Sequence, residues 1–151
     1  MKKIVLVLAL AASILVLSGA QAAETKIVGG PLTNLEAQGA VINIQLSAVP
    51  AKAGLYIQQC VQNAAGARPD ICNKAAELWI STARGASFAP TAAIQFKPTA
   101  SFVAGSTTID CTVSKCGIFM RFDHTAAADL SEDQFIALTF KSAAAGTVVL
   151  P

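Results

Sequence analysis

The chain is poor in the residues that carry most enzyme and metal chemistry. It holds one histidine, and no two of its four cysteines stand in a C-x-x-C spacing. Structural zinc sites draw four ligands from closely spaced cysteines and histidines, so zinc is excluded. Thioredoxin-type redox chemistry falls with the same motif. No serine or cysteine lies in a nucleophile-elbow motif that would set it beside a general base. Charges are scattered singly, without the basic stripe that phosphate binding requires, so no direct nucleic-acid partner is expected. The acids near the end of the chain lack the D-x-D-x-D-G spacing that gathers oxygens around calcium. There is no internal repeat. These absences leave no catalytic residue, no metal site and no cofactor to assign; a bound small apolar ligand is the one accessory left open.

What is present begins with "MKKIVLVLALAASILVLSGAQAAE". Lys2 and Lys3 give a positive start, Ile4 to Leu17 an uncharged apolar run, and Ala20-Gln21-Ala22 an A-x-A exit. This is the pattern of a secretory signal peptide over residues 1–22. The run is shorter than the roughly 20 residues a spanning helix needs. No cysteine stands at its end to carry a lipid, and no second stretch is apolar enough to span. The expectation is an exported protein, secreted or at the cell surface, with no membrane span after cleavage. The chain has 11 basic and 9 acidic side chains, and Lys2 and Lys3 supply the excess, so the mature part is balanced. Residues 23–151 suit a single domain with a real core, ending in a short tail.

Four cysteines in an exported chain read as two disulfides. Three pairings are possible, and the short spacings favour Cys60 with Cys72 and Cys111 with Cys116. Each bridge would contribute roughly 2–3 kcal/mol in the chain-entropy model.

Helical periodicity is scarce, whereas period-2 alternation recurs. "VINIQL" (Val41 to Leu46) sets Ile42, Ile44 and Leu46 on one face. "GLYIQQC" (Gly54 to Cys60) sets Tyr56, Gln58 and Cys60 opposite Leu55, Ile57 and Gln59. Further strands are expected from Leu78 in "LWIST", up to Phe96 in "AIQF", and over "FIALTF" (Phe135 to Phe140). Gly29-Gly30-Pro31, Val49-Pro50, Ala65-Gly66 and Lys97-Pro98 punctuate between them. "TAAADLSEDQ" (Thr125 to Gln134) predicts one short turn, not a long helix. The sum is an all-β, two-layer antiparallel sandwich.

Asp123-His124 is the one pair suggestive of acid–base chemistry. Neighbouring strand residues point to opposite faces, so the two cannot pair directly, and His124 is read as a hydrogen-bonding group at a strand end. The acidic loop from Asp129 through Glu132 to Asp133 reads as a turn whose side chains cap backbone amides. Arg121 is expected to close that loop by pairing with one of its acids. Trp79, flanked by Leu78 and Ile80, points outward or toward a rim, or covers the Cys60–Cys72 disulfide; both readings stay open.

The ordered pieces "NLEAQGAVINIQLSAVPAKAGLYIQQC", a cysteine at 72, "TTIDCTVSKCGIFM" and a closing "FIALTF" together resemble the neocarzinostatin-like family. The resemblance spans roughly residues 25 to 141. It is closer to secreted actinobacterial members that carry R-x-D-H-T followed by S-x-D, here Arg121 to Thr125 and Ser131 to Asp133, than to the family's chromophore carrier. It implies a seven-stranded immunoglobulin-like sandwich with two local disulfides, a non-enzymatic role, and a ligand cleft on one sheet. By the family's register Tyr56, Gln58, Cys60, Gly117, Phe119 and Arg121 face that cleft, and Ile57, Ile118, Met120 and Phe122 the core. The departures matter: Gln58 and Phe119 stand where the carrier has small floor residues, and Gln62 replaces an aromatic. The loop "FVAGSTTIDC" leaves Phe102 as the nearest wall. The ligand-binding set is therefore Tyr56, Gln58, Gln62, Trp79, Phe102, Phe119 and Arg121. The expected function is recognition of a small molecule or an extracellular protein on this face. The alternatives are carriage of an antimicrobial, enediyne-type chromophore and a structural or adhesive role in the cell envelope.

Overall fold

Strand alternation decides which side of each segment is buried. β1 (Ile27–Gly30), β2 (Ile42–Leu46) and β5 (Ile94–Phe96) form a three-stranded antiparallel sheet in the order β1-β2-β5. In β2 the apolar Ile42, Ile44 and Leu46 are buried while Asn43 and Gln45 are exposed, as a half-buried strand requires. This is a computed structural model, and it describes residues 25–64, 67–87, 89 and 93–142. The leader, the Ala65-Gly66 turn and most of the tail lie outside the described residues.

The second sheet has the order β4-β3-β8-β9, built from β3 (Leu55–Val61), β4 (Cys72–Ile80), β8 (Cys116–Phe122) and β9 (Gln134–Ala137). Leu55, Ile57, Ile80, Ile118, Met120 and Phe122 point inward from it and meet Ile42, Ile44, Ile94 and Phe96 in one contiguous core. The two sheets thus supply seven strands of an all-β sandwich. A separate hairpin, β6 (Ser101–Ala104) and β7 (Thr107–Asp110), adds Phe102 and Ile109 to the same core. A single 3₁₀ turn over His124–Ala126 follows β8, and no long helix interrupts the described residues.

Both disulfides form as the spacings favour, Cys60 with Cys72 and Cys111 with Cys116. The first ties β3 to the start of β4, and the second closes the turn that leads into β8. Gln59 of β3 carries a polar side chain into the core. Gln59 is fully buried, and its amide is satisfied: Nε2 donates to the Thr99 carbonyl at 2.7 Å. Its Oε1 accepts from Asn73 Nδ2 at 3.0 Å and from Thr99 N–H at 3.1 Å. That network knits β3, β4 and the segment before β6 without an unpaired buried amide.

Two strand limits differ from the alternation pattern. β4 begins at Cys72, not Leu78. Its pairing with β3 runs from Cys60↔Cys72 and Gln59↔Asn73 to Ile57↔Leu78, so Gln58 alone faces Lys74 to Glu77. The extra residues form a bulge, which scrambles the period that would have revealed the strand. β9 ends at Ala137; Leu138 N–H makes one more bond to the Cys116 carbonyl at 2.9 Å, and Phe140 then forms an isolated bridge with Leu35.

Candidate functional site

The outer face of the four-stranded sheet is not flat. A cleft of about 550 Å³ lies on it, within the size range of small-molecule sites. Its floor is Gln58 of β3 with Phe119 and Arg121 of β8, neighbours by register because Tyr56 pairs with Arg121 and Gln58 with Phe119. One wall is the loop into β4, from Arg68 to Cys72, with Lys74 carried to the rim by the β4 bulge. The opposite wall is the tip of the β6–β7 hairpin, Val103 to Gly105.

Phe119 closes the floor. It is only 4% exposed and pairs across the strands with Phe135 of β9. A Cβ on Gly117 would lie 2.5 Å from the Phe135 ring and from the Ile136 carbonyl, so only glycine lets that ring lie down. Beyond Phe119 a second hollow of about 170 Å³ opens between Gln62, Asn63 and Phe135.

Arg68 divides the two hollows and clasps the loops that frame them. Its Nε and Nη2 grip the two Asp133 oxygens at 2.5 and 2.7 Å. Nη1 donates to the Ala127 carbonyl at 2.5 Å and Nη2 to that of Asp129 at 2.9 Å. A planar guanidinium suits this fork, and the Asp133 hydrogen bonds raise its pKa against the desolvation that lowers it. The expected pairing of Arg121 with this loop is therefore corrected: Arg68 holds it. Arg121 instead lies over the Tyr56 ring, 5.0 Å from its centroid, and donates to the Phe122 carbonyl at 3.2 Å.

The loop itself is an Asx turn, with Asp129 Oδ1 accepting from Ser131 N–H at 2.9 Å. Its other oxygen meets Lys52, and the Lys52 and Ser131 hydrogen bonds hold the carboxyl far below the usual range. Glu132 turns inward and accepts from Thr25 N–H at 3.0 Å. The three acids thus have different partners, and no group of metal-ligating side chains occurs among the described residues.

Behind Arg121 stands an aromatic bracket. Tyr56, Trp79 and His124 make mutual ring contacts at 5.5 to 6.4 Å, and the Tyr56 hydroxyl hydrogen-bonds His124 Nδ1 at 2.9 Å. Asp123, 1% exposed, anchors the bracket. Its Oδ2 accepts from the Trp79 indole at 2.9 Å, and its Oδ1 accepts from Thr125 N–H at 2.9 Å as the N-cap of the 3₁₀ turn. Desolvation alone would raise the Asp123 pKa, but the Thr125 and Trp79 hydrogen bonds and the nearby His124 outweigh it and lower it. Gly54 makes room, since a Cβ there would lie 2.5 Å from Asp123 Oδ2. The Asp123 oxygens serve Thr125 and Trp79, not His124, so the two do not form a catalytic dyad. All four cysteines are bridged, which removes thiol nucleophiles.

The structure thus brings Gln58, Phe119 and Arg121 onto one cleft floor and sets Tyr56 and Trp79 beside it as support. Gln62 lies across the Arg68 clasp, on the smaller hollow. Trp79 does not cover the Cys60–Cys72 disulfide; it pairs with Tyr56 at the far end of β4. Phe102 is corrected from cleft wall to core: at 7% exposure it faces Ile109, and alternation turns Val103, 64% exposed, to the cleft instead. Of the two disulfides only the first borders the cleft, through Cys72. Sequence reasoning missed Arg68, Ile71 and Lys74, which sit in a loop and a bulge where no period marks orientation.

The described residues thus form a disulfide-stapled β-sandwich with a ligand-sized cleft on one sheet. The neocarzinostatin family model matches residues 27–140, and the chain belongs to the neocarzinostatin family. That family comprises non-enzymatic apoproteins that bind small-molecule ligands. No curated protein and no solved structure gives a significant match to the chain. Among the described residues no helix is long and apolar enough to cross a membrane.

Proposed function

We propose that the protein is an exported, non-enzymatic binding module that recognises a small molecule in the cleft between the Arg68–Cys72 loop and the β6–β7 hairpin. The observation that carries this is the cleft itself: about 550 Å³, with a floor rigidly paired through β3, β8 and β9. Two disulfides support export into an oxidising space. The cargo differs from an enediyne chromophore, because Phe119 occupies the floor and Arg68, Asp70, Lys74 and Arg121 line much of the rest. A broad aromatic ligand would have to displace the ring and desolvate those charges.

The test is native mass spectrometry of protein secreted by its own host, beside Val103→Trp. Val103 is exposed on the hairpin wall, so the larger side chain fills the cleft without entering the core. A small molecule retained by the wild type and lost from the variant is expected. A bare mass for both, with a partner protein captured instead, would move the assignment to a protein-interaction module.

A further inference from the structure

We propose that the cleft selects a small amphipathic anion, whose charged group is gripped by Arg121 and whose apolar body lies on Phe119 between Ile71 and Val103; this rests on the cleft being the binding site. Three cations line it, and two are already engaged. Arg68 makes four hydrogen bonds across the loop clasp. Lys74 pairs with Glu77 at 3.0 Å. Arg121 has a single hydrogen bond, to the Phe122 carbonyl, and no carboxylate partner among the described residues. A guanidinium carries five N–H donors in a fixed fork, so most of its bonding capacity is unspent.

Arg121 is also held in place. It rests on the Tyr56 ring, which is fixed by the hydroxyl bond to His124 and by contact with Trp79, itself tied to the buried Asp123. The bracket therefore pre-orients the fork, which lowers the ordering cost of binding. Beside it lie apolar surfaces: the Phe119 ring on the floor, Ile71 on one wall and Val103 on the other. A half-buried, carboxylate-free guanidinium next to an apolar floor fits a carboxylate or sulfonate joined to a hydrocarbon frame. Asp70 is the one acid lining the cleft, and it is exposed. It stays hydrated and acts on an anionic ligand only as a weak repulsion.

The experiment is a fluorescence titration of the folded protein with two probes of similar shape, anionic 8-anilinonaphthalene-1-sulfonate and uncharged N-phenyl-1-naphthylamine. The anion should bind about tenfold or more tightly, the worth of one charge-assisted contact. Arg121→Gln should erase that preference, and an unfolding midpoint close to the wild type's shows that the variant is folded. Arg121→Lys should restore part of it, because the charge returns without the fork. Asp70→Asn should leave anion binding equal or tighter, and Val103→Trp should abolish both signals. Equal binding of the two probes, insensitivity to Arg121→Gln, or weaker anion binding in Asp70→Asn overturns the anion inference and leaves the cleft reading standing. Binding of neither probe, or binding untouched by Val103→Trp, overturns both.

Discussion

Asp123→Asn removes one charge from a carboxylate whose two oxygens are fully engaged inside the protein. Oδ1 accepts from Thr125 N–H at 2.9 Å and Thr125 Oγ1 at 2.5 Å, and Oδ2 accepts from Trp79 Nε1 at 2.9 Å. Asparagine keeps the cap, since an amide oxygen serves Thr125 almost as well. It also turns an NH₂ toward the indole N–H, so two donors face each other at a site that is 1% exposed. Losing that charge-assisted bond costs about 2 kcal/mol, and Asp123→Ala, which loses the cap as well, about 1 kcal/mol more. The pH dependence has a definite sign. The Asp123 pKa is lowered on folding, so its stabilisation is complete above the ordinary carboxylate value and is lost as pH falls through the folded one. The gap between wild type and Asp123→Asn should therefore be full at pH 6.5 and narrower at pH 3. Urea unfolding followed by Trp79, the only tryptophan, measures both quantities at the bracket itself. A variant that unfolds at the wild-type midpoint, or a gap identical at the two pH values, would refute the reasoning.

Gly117→Ala should destabilise by about 1–3 kcal/mol, because its Cβ meets both the Phe135 ring and a backbone oxygen; thermal unfolding checks this. Gln59→Leu strands the Thr99 N–H and carbonyl and the Asn73 amide in the core, and should cost about 3 kcal/mol in urea unfolding. Replacing Cys60 and Cys72 together by serine should cost about 3 kcal/mol, and Cys111 with Cys116 about 2 kcal/mol. The order follows from sequence separations of 12 and 5 residues, and equal losses would argue against loop entropy as the cause.

Much of the fold was legible because two-sided strands announce themselves. Ile42, Ile44 and Leu46 alternate without error, and the faces of β3 follow directly from "GLYIQQC". The cysteine spacings favoured the pairing that forms. Legibility failed where alternation fails. The bulge opposite Gln58 hid the first half of β4, and with it Lys74 at the cleft rim. Arg68 acts from a loop, where the side chain's direction depends on tertiary partners 59 to 65 residues away in sequence. Arg121 lies near those acids in the chain, yet its strand aims it at Tyr56. Phe102 is the one aromatic in its short loop, which suggests a wall. One residue of register decides the matter, and it favours the core.

The central claim is that the hollow floored by Gln58, Phe119 and Arg121 is where this protein meets its ligand. The most direct measurement is amide chemical-shift mapping during titration with an amphipathic anion such as 8-anilinonaphthalene-1-sulfonate. Perturbations confined to Gln58, Ile71, Val103 to Gly105, Phe119 and Arg121 are the result expected. Shifts centred on β1, β2 and β5, in the opposite sheet, with the cleft residues unmoved, would contradict it.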